Sequence, residues 1–242
     1  MGKLSDKNHP FIDHFKRLKD LAAGRATIKQ CIPSPSNIYG EILGFGFLEV
    51  SYYEKVEDFE ADLTRSYKEF LDDFKSAGGE IIQFDDCLWE QFSDEGDSAQ
   101  YDGKARDEKN YALTEKYIVI NNEVIAYGHD LGLKVYTHNC RRNYASRHFT
   151  EGTYDSIANL FLEKQNYHRF YLEWDDERAG LDDEERALKL LEEASKIIDK
   201  DRLYLSHQCG FASCDNGNEL THNEQWKKIS QEDKISEEFW KE

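Results

Sequence analysis

The sequence predicts an α/β chain folded as a TIM (β/α) barrel, and three observations carry that expectation. Short apolar runs of strand length alternate along the chain with longer segments of helical period. The short runs read as continuous rather than alternating, as expected for strands buried on both faces of a parallel sheet. Polar, chemistry-bearing residues stand directly after the runs, at the strand ends where parallel α/β folds build their active sites. A length of 242 residues suits a barrel of roughly 250. Five strands rather than eight are legible, so a doubly wound sheet stays open as the alternative.

In chain order, the first predicted strand is Ala26–Ile32. A helix follows in which Val56, Phe59, Leu63, Tyr67, Phe70, Leu71 and Phe74 recur at three- and four-residue steps, with Gly78-Gly79 as its stop. The strand Glu80–Phe84 leads to a helix over about Lys104 to His129 that ends near Gly132. The strand Leu133–Tyr136 precedes a helix from Tyr154 to about Lys164, and Arg169–Leu172 precedes one from Asp182 to Ile198. The acids at the start of that last helix suit the positive end of its dipole. The strand Arg202–Leu205 and a closing helix near Trp240 complete the series. Strand, helix, strand in one chain implies right-handed crossovers. No repeat, low-complexity tract or flexible linker interrupts it, so residues 1–242 read as a single domain.

Composition narrows the partners. With 49 acids against 31 bases the formal charge is −18, and the pI is near 4.9. Nucleic-acid binders carry a basic face, and anionic membranes attract basic segments, so neither is an expected partner. No apolar run approaches the roughly 18–20 residues of a membrane span. The start MGKLSDKNHP has no apolar core for a secretory signal, and Asp6 stands where a myristoylation signal wants Ser or Thr. Five cysteines, an odd number, point to reduced thiols in a cytoplasmic setting.

The chemistry collects after the strands. Asp85-Asp86-Cys87, Thr137-His138-Asn139-Cys140, Glu173-Trp174-Asp175-Asp176 and Ser206-His207-Gln208-Cys209 follow four of them. His138 and Cys140 are two apart, so on an extended strand end they point the same way. Together with Glu173 and Cys209 they form a four-ligand set that suits Zn²⁺ among the common metals. The alternative is a core cysteine beside a hydrogen-bonded histidine, since H-x-C pairs also occur by chance. Cys31, Cys87 and Cys214 read as core or loop residues, with Cys87 a spare ligand. His207 is a candidate proton donor, or else hydrogen-bonds a neighbour. Asp85 and Asp86 alternate in direction, so one at most faces a pocket, where it can hold an ammonium group; otherwise they cap or brace. Arg141-Arg142 can meet a carboxylate bidentately but default to solvent. The acid-rich stretches Asp175–Glu177 and Asp182–Glu185 read as solvated helix starts.

At these residues the chain resembles a known family. The blocks TIKQCIPSPSNIY, GGEIIQFDDCLWEQF, VYTHNCRRN, FYLEWDDERAG and LYLSHQCGFAS, with the tail GNELTHNEQWKKI, resemble the cobalamin-independent methionine synthase family. The likeness is to its short, single-domain members, which correspond to the catalytic C-terminal barrel, and it runs from about His9 to Trp240. It implies a TIM barrel with zinc held by His138, Cys140, Glu173 and Cys209. It also implies that Asp85 contacts the amino group of homocysteine, which accepts a methyl group from methyltetrahydrofolate, usually polyglutamylated.

The sequence also departs from that pattern. The family places strands before the PSPS block, carrying an Ile-Gly-Ser segment and a substrate-binding glutamate, and neither is found here. Between Glu173 and Cys209 it fits a further strand, with a histidine held to protonate the leaving group. Here one helix fills that interval. The expectation is therefore an incomplete barrel: a zinc methyltransferase whose proton donor is unassigned, with small-molecule substrates and a possible homo-oligomer. The alternatives are a zinc-binding homologue without turnover, or alkyl transfer to a different thiol.

Overall fold

The structure, a computed structural model, describes residues 2–6, 8–44, 46, 52–92, 103–140, 143, 145–146, 157–174, 183–207, 211–212 and 215–241, with only the backbone of 103–110. Five strands form one parallel sheet in chain order: β1 (Lys29–Pro33), β2 (Ile81–Asp85), β3 (Lys134–Asn139), β4 (Arg169–Glu173) and β5 (Leu203–Ser206). The helices are α1 (Pro10–Ala22), α2 (Pro35–Gly44), α3 (Val56–Ser76), α4 (Gly103–Asp130), α5 (Ala158–Glu163), α6 (Glu184–Ala194) and α7 (His222–Phe239). The α/β expectation and its five strands hold. By internal contacts the chain divides into two compact units. One comprises residues 1–86, 112–136 and 165–168; the other comprises 87–111, 137–164 and 169–242.

In the first unit α3 sets the core. Its period buries Phe59, Leu63, Phe70, Leu71 and Phe74, each contributing about 1.5–3 kcal/mol by leaving water. Phe15 of α1 meets Phe74 edge to face, with ring centroids 4.7 Å apart. α3 stops where the glycines lead: Gly78 takes φ +85°, and the Gly79 N–H donates to Phe74 O. Gly132, at φ +70°, ends α4 in the same left-handed conformation. α1 and α2 were not among the expected helices. Each opens on a proline at its first turn, where a fixed φ and a missing N–H cost nothing, and each is too short to show many repeats of its period. In the second unit Trp89, Phe161 and Phe170 form an edge-to-face series. There β4 pairs directly with β5 through Phe170↔Leu203 and Glu173↔Ser206.

No described helix is long and apolar enough to cross a membrane. The expected strand Leu133–Tyr136 runs three residues further, so His138 belongs to β3 itself.

The N-terminal segment docks on α3. Leu4 N donates to Tyr53 Oη, Arg65 donates to Leu4 O, and Asp6 N donates to Glu69 Oε2. Burial, then the charges of Asp73 and Glu69, pushes the Asp6 carboxyl up from 3.8 to about 6. The folded chain therefore holds this proton more tightly than the unfolded one, and stability falls as pH rises from about 4 through 6. Asp6→Asn should stabilise the chain by about 1–2 kcal/mol at pH 8, allowing for solvent screening, and by little at pH 4. Urea unfolding at the two pH values checks this; an equal effect at both would count against it.

Candidate metal centre

In the second unit, β3 runs out at Asn139 and its alternation puts His138 and Cys140 on one side. Glu173 is the last residue of β4. These three side chains each bring one ligand atom to within 4.8 Å of the others. His138 Nε2 lies 3.8 Å from Glu173 Oε1, with the two side chains 14% and 4% exposed, and Cys140 is buried. Tetrahedral zinc, with bonds of about 2.0–2.3 Å, sets its ligand atoms about 3.3–3.8 Å apart. The trio fits such an ion after a closure of about 1 Å. Among the described residues no other three His, Cys, Asp or Glu side chains gather so closely. Cys209, the fourth expected ligand, lies outside the described residues, as do Cys214, Arg141, Arg142, Asp175–Glu177 and Asp182. Cys31 in β1 and Cys87 in a 3₁₀ turn are half-buried, and neither joins the trio. Asp183 caps α6, accepting from the N–H groups of Glu185 and Arg186.

His207 follows β5. Its Nδ1 lies 3.1 Å from Glu232 Oε2 of α7, and its ring meets that of Phe211 at a tilt of 47°, with centroids 4.1 Å apart. Burial, then the charges of Lys228 and His138, pushes it down to about 4. The imidazole is therefore neutral near pH 7, and its contact with Glu232 is not an ion pair. Lys228 is fully buried, and nothing in its sequence neighbourhood singles it out.

In the first unit, the two aspartates that end and follow β2 part company. Asp86 is fully buried. Its Oδ1 accepts from Ser34 Oγ at 2.8 Å and Ser36 Oγ at 2.7 Å, and its Oδ2 from Asn121 Nδ2 at 2.9 Å. Asn121 also accepts from Ser36 N and donates to Gln165 Oε1. Asp86 is thus the brace of the two. Asp85 is half-buried; its Oδ1 accepts from Gln83 Nε2 at 2.6 Å, and its backbone O from Ser34 N. Sequence reasoning passed over Gln83, Asn121 and Gln165, because an amide side chain carries no local mark of the distant partner it will meet. The two serines of the PSPS block were the one available signal.

No protein-family model matches the chain. The uncharacterised proteins YxjG and YxjH of Bacillus subtilis (strain 168) are each 30% identical to it, over 269 and 268 residues respectively. Each alignment takes in 99% of this chain and 68% of the relative. The chain belongs to their family. The family's shared span exceeds the chain's own 242 residues, so YxjG and YxjH carry residues within it that this member lacks. A crystal structure from Listeria monocytogenes, provisionally assigned as a vitamin-B12-independent methionine synthase, superposes on 100% of the chain and 73% of its own. The TM-score is 0.68 and the identity 26%.

The brace yields a measurable expectation. Asn121→Ala leaves a fully buried carboxylate short of one donor, and should cost about 1–3 kcal/mol of stability in urea unfolding. A change below about 0.5 kcal/mol would mean that Asp86 is held without it.

Proposed function

We propose that this chain is a zinc-dependent methyltransferase that moves the methyl group of 5-methyltetrahydrofolate, as its polyglutamate, to the thiol of homocysteine and forms methionine. The observation that carries the reading is the gathering of His138, Cys140 and Glu173 at the ends of adjacent strands. Cys209 is proposed as the fourth ligand. The likeness to the Listeria monocytogenes structure supports a methyltransferase at a coarser level.

When bound, zinc would hold a substrate thiol as its thiolate at neutral pH. The protein's part is to make that useful. Cysteine and carboxylate ligands return negative charge to the metal, so a coordinated sulfur keeps its nucleophilic character. Burial of Cys140 and Glu173 keeps bulk water from competing for the site. Asp85 is proposed to take the ammonium group of homocysteine and so fix the direction from which its sulfur meets the methyl carbon. In the transfer the S–CH₃ bond forms as the N5–CH₃ bond of the folate breaks. The proton the thiol gave up balances the one the pterin nitrogen gains.

A second reading has its own observation. β4 and β5 pair directly, and the relatives carry residues that this chain lacks. A zinc- and thiol-binding homologue without turnover, or one that alkylates another thiol, would keep the trio and lose part of the pocket.

Two experiments separate these readings. Cys140→Ser and Cys209→Ser should each abolish stoichiometric zinc in the purified chain, while Cys31→Ser and Cys214→Ser leave it; equal loss in all four would sink the ligand assignment. Asp85→Asn should weaken homocysteine binding at least tenfold with zinc content unchanged, as for a charged hydrogen bond lost. Loss of metal in that variant would make Asp85 structural. Methionine formation from homocysteine and methyltetrahydrofolate polyglutamate by the unmodified chain decides turnover.

A further inference from the structure

The register of β1 on β2 sets Cys31 beside Gln83 and Pro33 beside Asp85, with Lys29 one step back beside Ile81. Alternation therefore puts Lys29, Cys31, Gln83 and Asp85 on one face of the strand pair. Along that face runs a relay. Lys29 Nζ donates to Gln83 Oε1 at 2.5 Å, and Gln83 Nε2 donates to Asp85 Oδ1 at 2.6 Å. An ammonium only donates and a carboxylate only accepts, so the Gln83 amide has one orientation that satisfies both neighbours. The cation at one end polarises the amide and makes it a stronger donor at the other. Gln83 is 4% exposed, so water does not substitute for either bond.

We propose that Gln83 is a positioning residue for Asp85: locked by Lys29, its amide fixes the carboxylate in the orientation that receives the ammonium group of an amino-acid thiol. The inference rests on the reading of Asp85 given above. Placing glutamine between lysine and aspartate has a chemical reason. A lysine directly on Asp85 would occupy the place an ammonium ligand needs. Held one side chain away, it acts on the carboxylate through the Gln83 amide. The neighbouring thiol does not compete, because burial, then the Asp85 charge, pushes Cys31 up to about 11.

The test is calorimetric titration of the zinc-supplied full chain with L-homocysteine and with 4-mercaptobutanoate, the same thiol acid without its amino group. Gln83→Met should weaken homocysteine binding about tenfold and leave 4-mercaptobutanoate unchanged. Lys29→Met in the Gln83→Met background should recover part of the loss, since no ammonium is then left to collapse onto Asp85. Equal weakening of both thiols, which a merely structural role would produce, overturns the inference, as does a variant that keeps the full preference for homocysteine. If Gln83→Met fails to fold, Lys29→Met alone serves: a preference for homocysteine unchanged by it overturns the relay. A wild-type chain that binds the two thiols equally, or binds neither, refutes the reading of Asp85 itself and the inference falls with it.

Discussion

A carboxylate with no access to water must be met by donors, and the meeting at Asp86 organises the first unit. The penalty for leaving such a group unpartnered is several kcal/mol, so Ser34, Ser36 and Asn121 are held where the carboxylate needs them. Those three residues come from the end of β1, the start of α2 and the middle of α4, and Gln165 joins from just before β4. One buried charge therefore fixes where β2 stops relative to four other segments. Because β2 stops there, Asp85 is the last strand residue and its backbone carbonyl is tied to Ser34 N. The half-buried acid is placed by the fully buried one.

This arrangement explains which features were legible from residues alone. Period and stop signals are local, so α3 and α4 could be bounded within a residue or two by their apolar steps and by Gly78 and Gly132. The trio of His138, Cys140 and Glu173 stood out for a related reason. Each member comes within four residues after an apolar run, and the parallel sheet gathers the three. Partners of a buried polar group carry no such mark. Ser34 and Asp86 are 52 residues apart, Asn121 and Asp86 are 35 apart, and Asn121 and Gln165 are 44 apart. Gln83 sat inside a run read as a buried strand, where a lone amide looks like noise until Lys29 and Asp85 appear at its two ends. The extension of β3 past Tyr136 escaped notice because the apolar run ends there and Asn139 is a poor strand former by propensity. Pairing with β2 and β4 overrides that preference.

Electrostatics distinguish the two candidate groups. At the trio, a thiol and a carboxylate are buried with a single imidazole 3.8 Å from the carboxylate. Two anions there would repel in a medium of low dielectric unless a cation or protons intervened. A divalent ion is the economical answer, because one charge centre satisfies sulfur, nitrogen and oxygen at once. At Asp85 the compensation is different in kind. A lysine stands at the far end of a neutral amide whose other end donates to the carboxylate.

The crossover between β4 and β5 bears on how much of this chemistry survives in so short a chain. Among the described residues it contains α6 and a single 3₁₀ turn at Lys200–Arg202, and it returns the chain to the adjacent strand. One helix of this size meets the minimum that a right-handed βαβ unit requires. His138, Cys140 and Glu173 lie at the ends of β3 and β4, ahead of that crossover, and their placement follows from the strands rather than from the connection. The proposed metal binding rests on residues ahead of the crossover, whereas the proposed turnover also needs walls that exclude water and a group that carries a proton to the leaving nitrogen, so the two are to be measured separately and in that order.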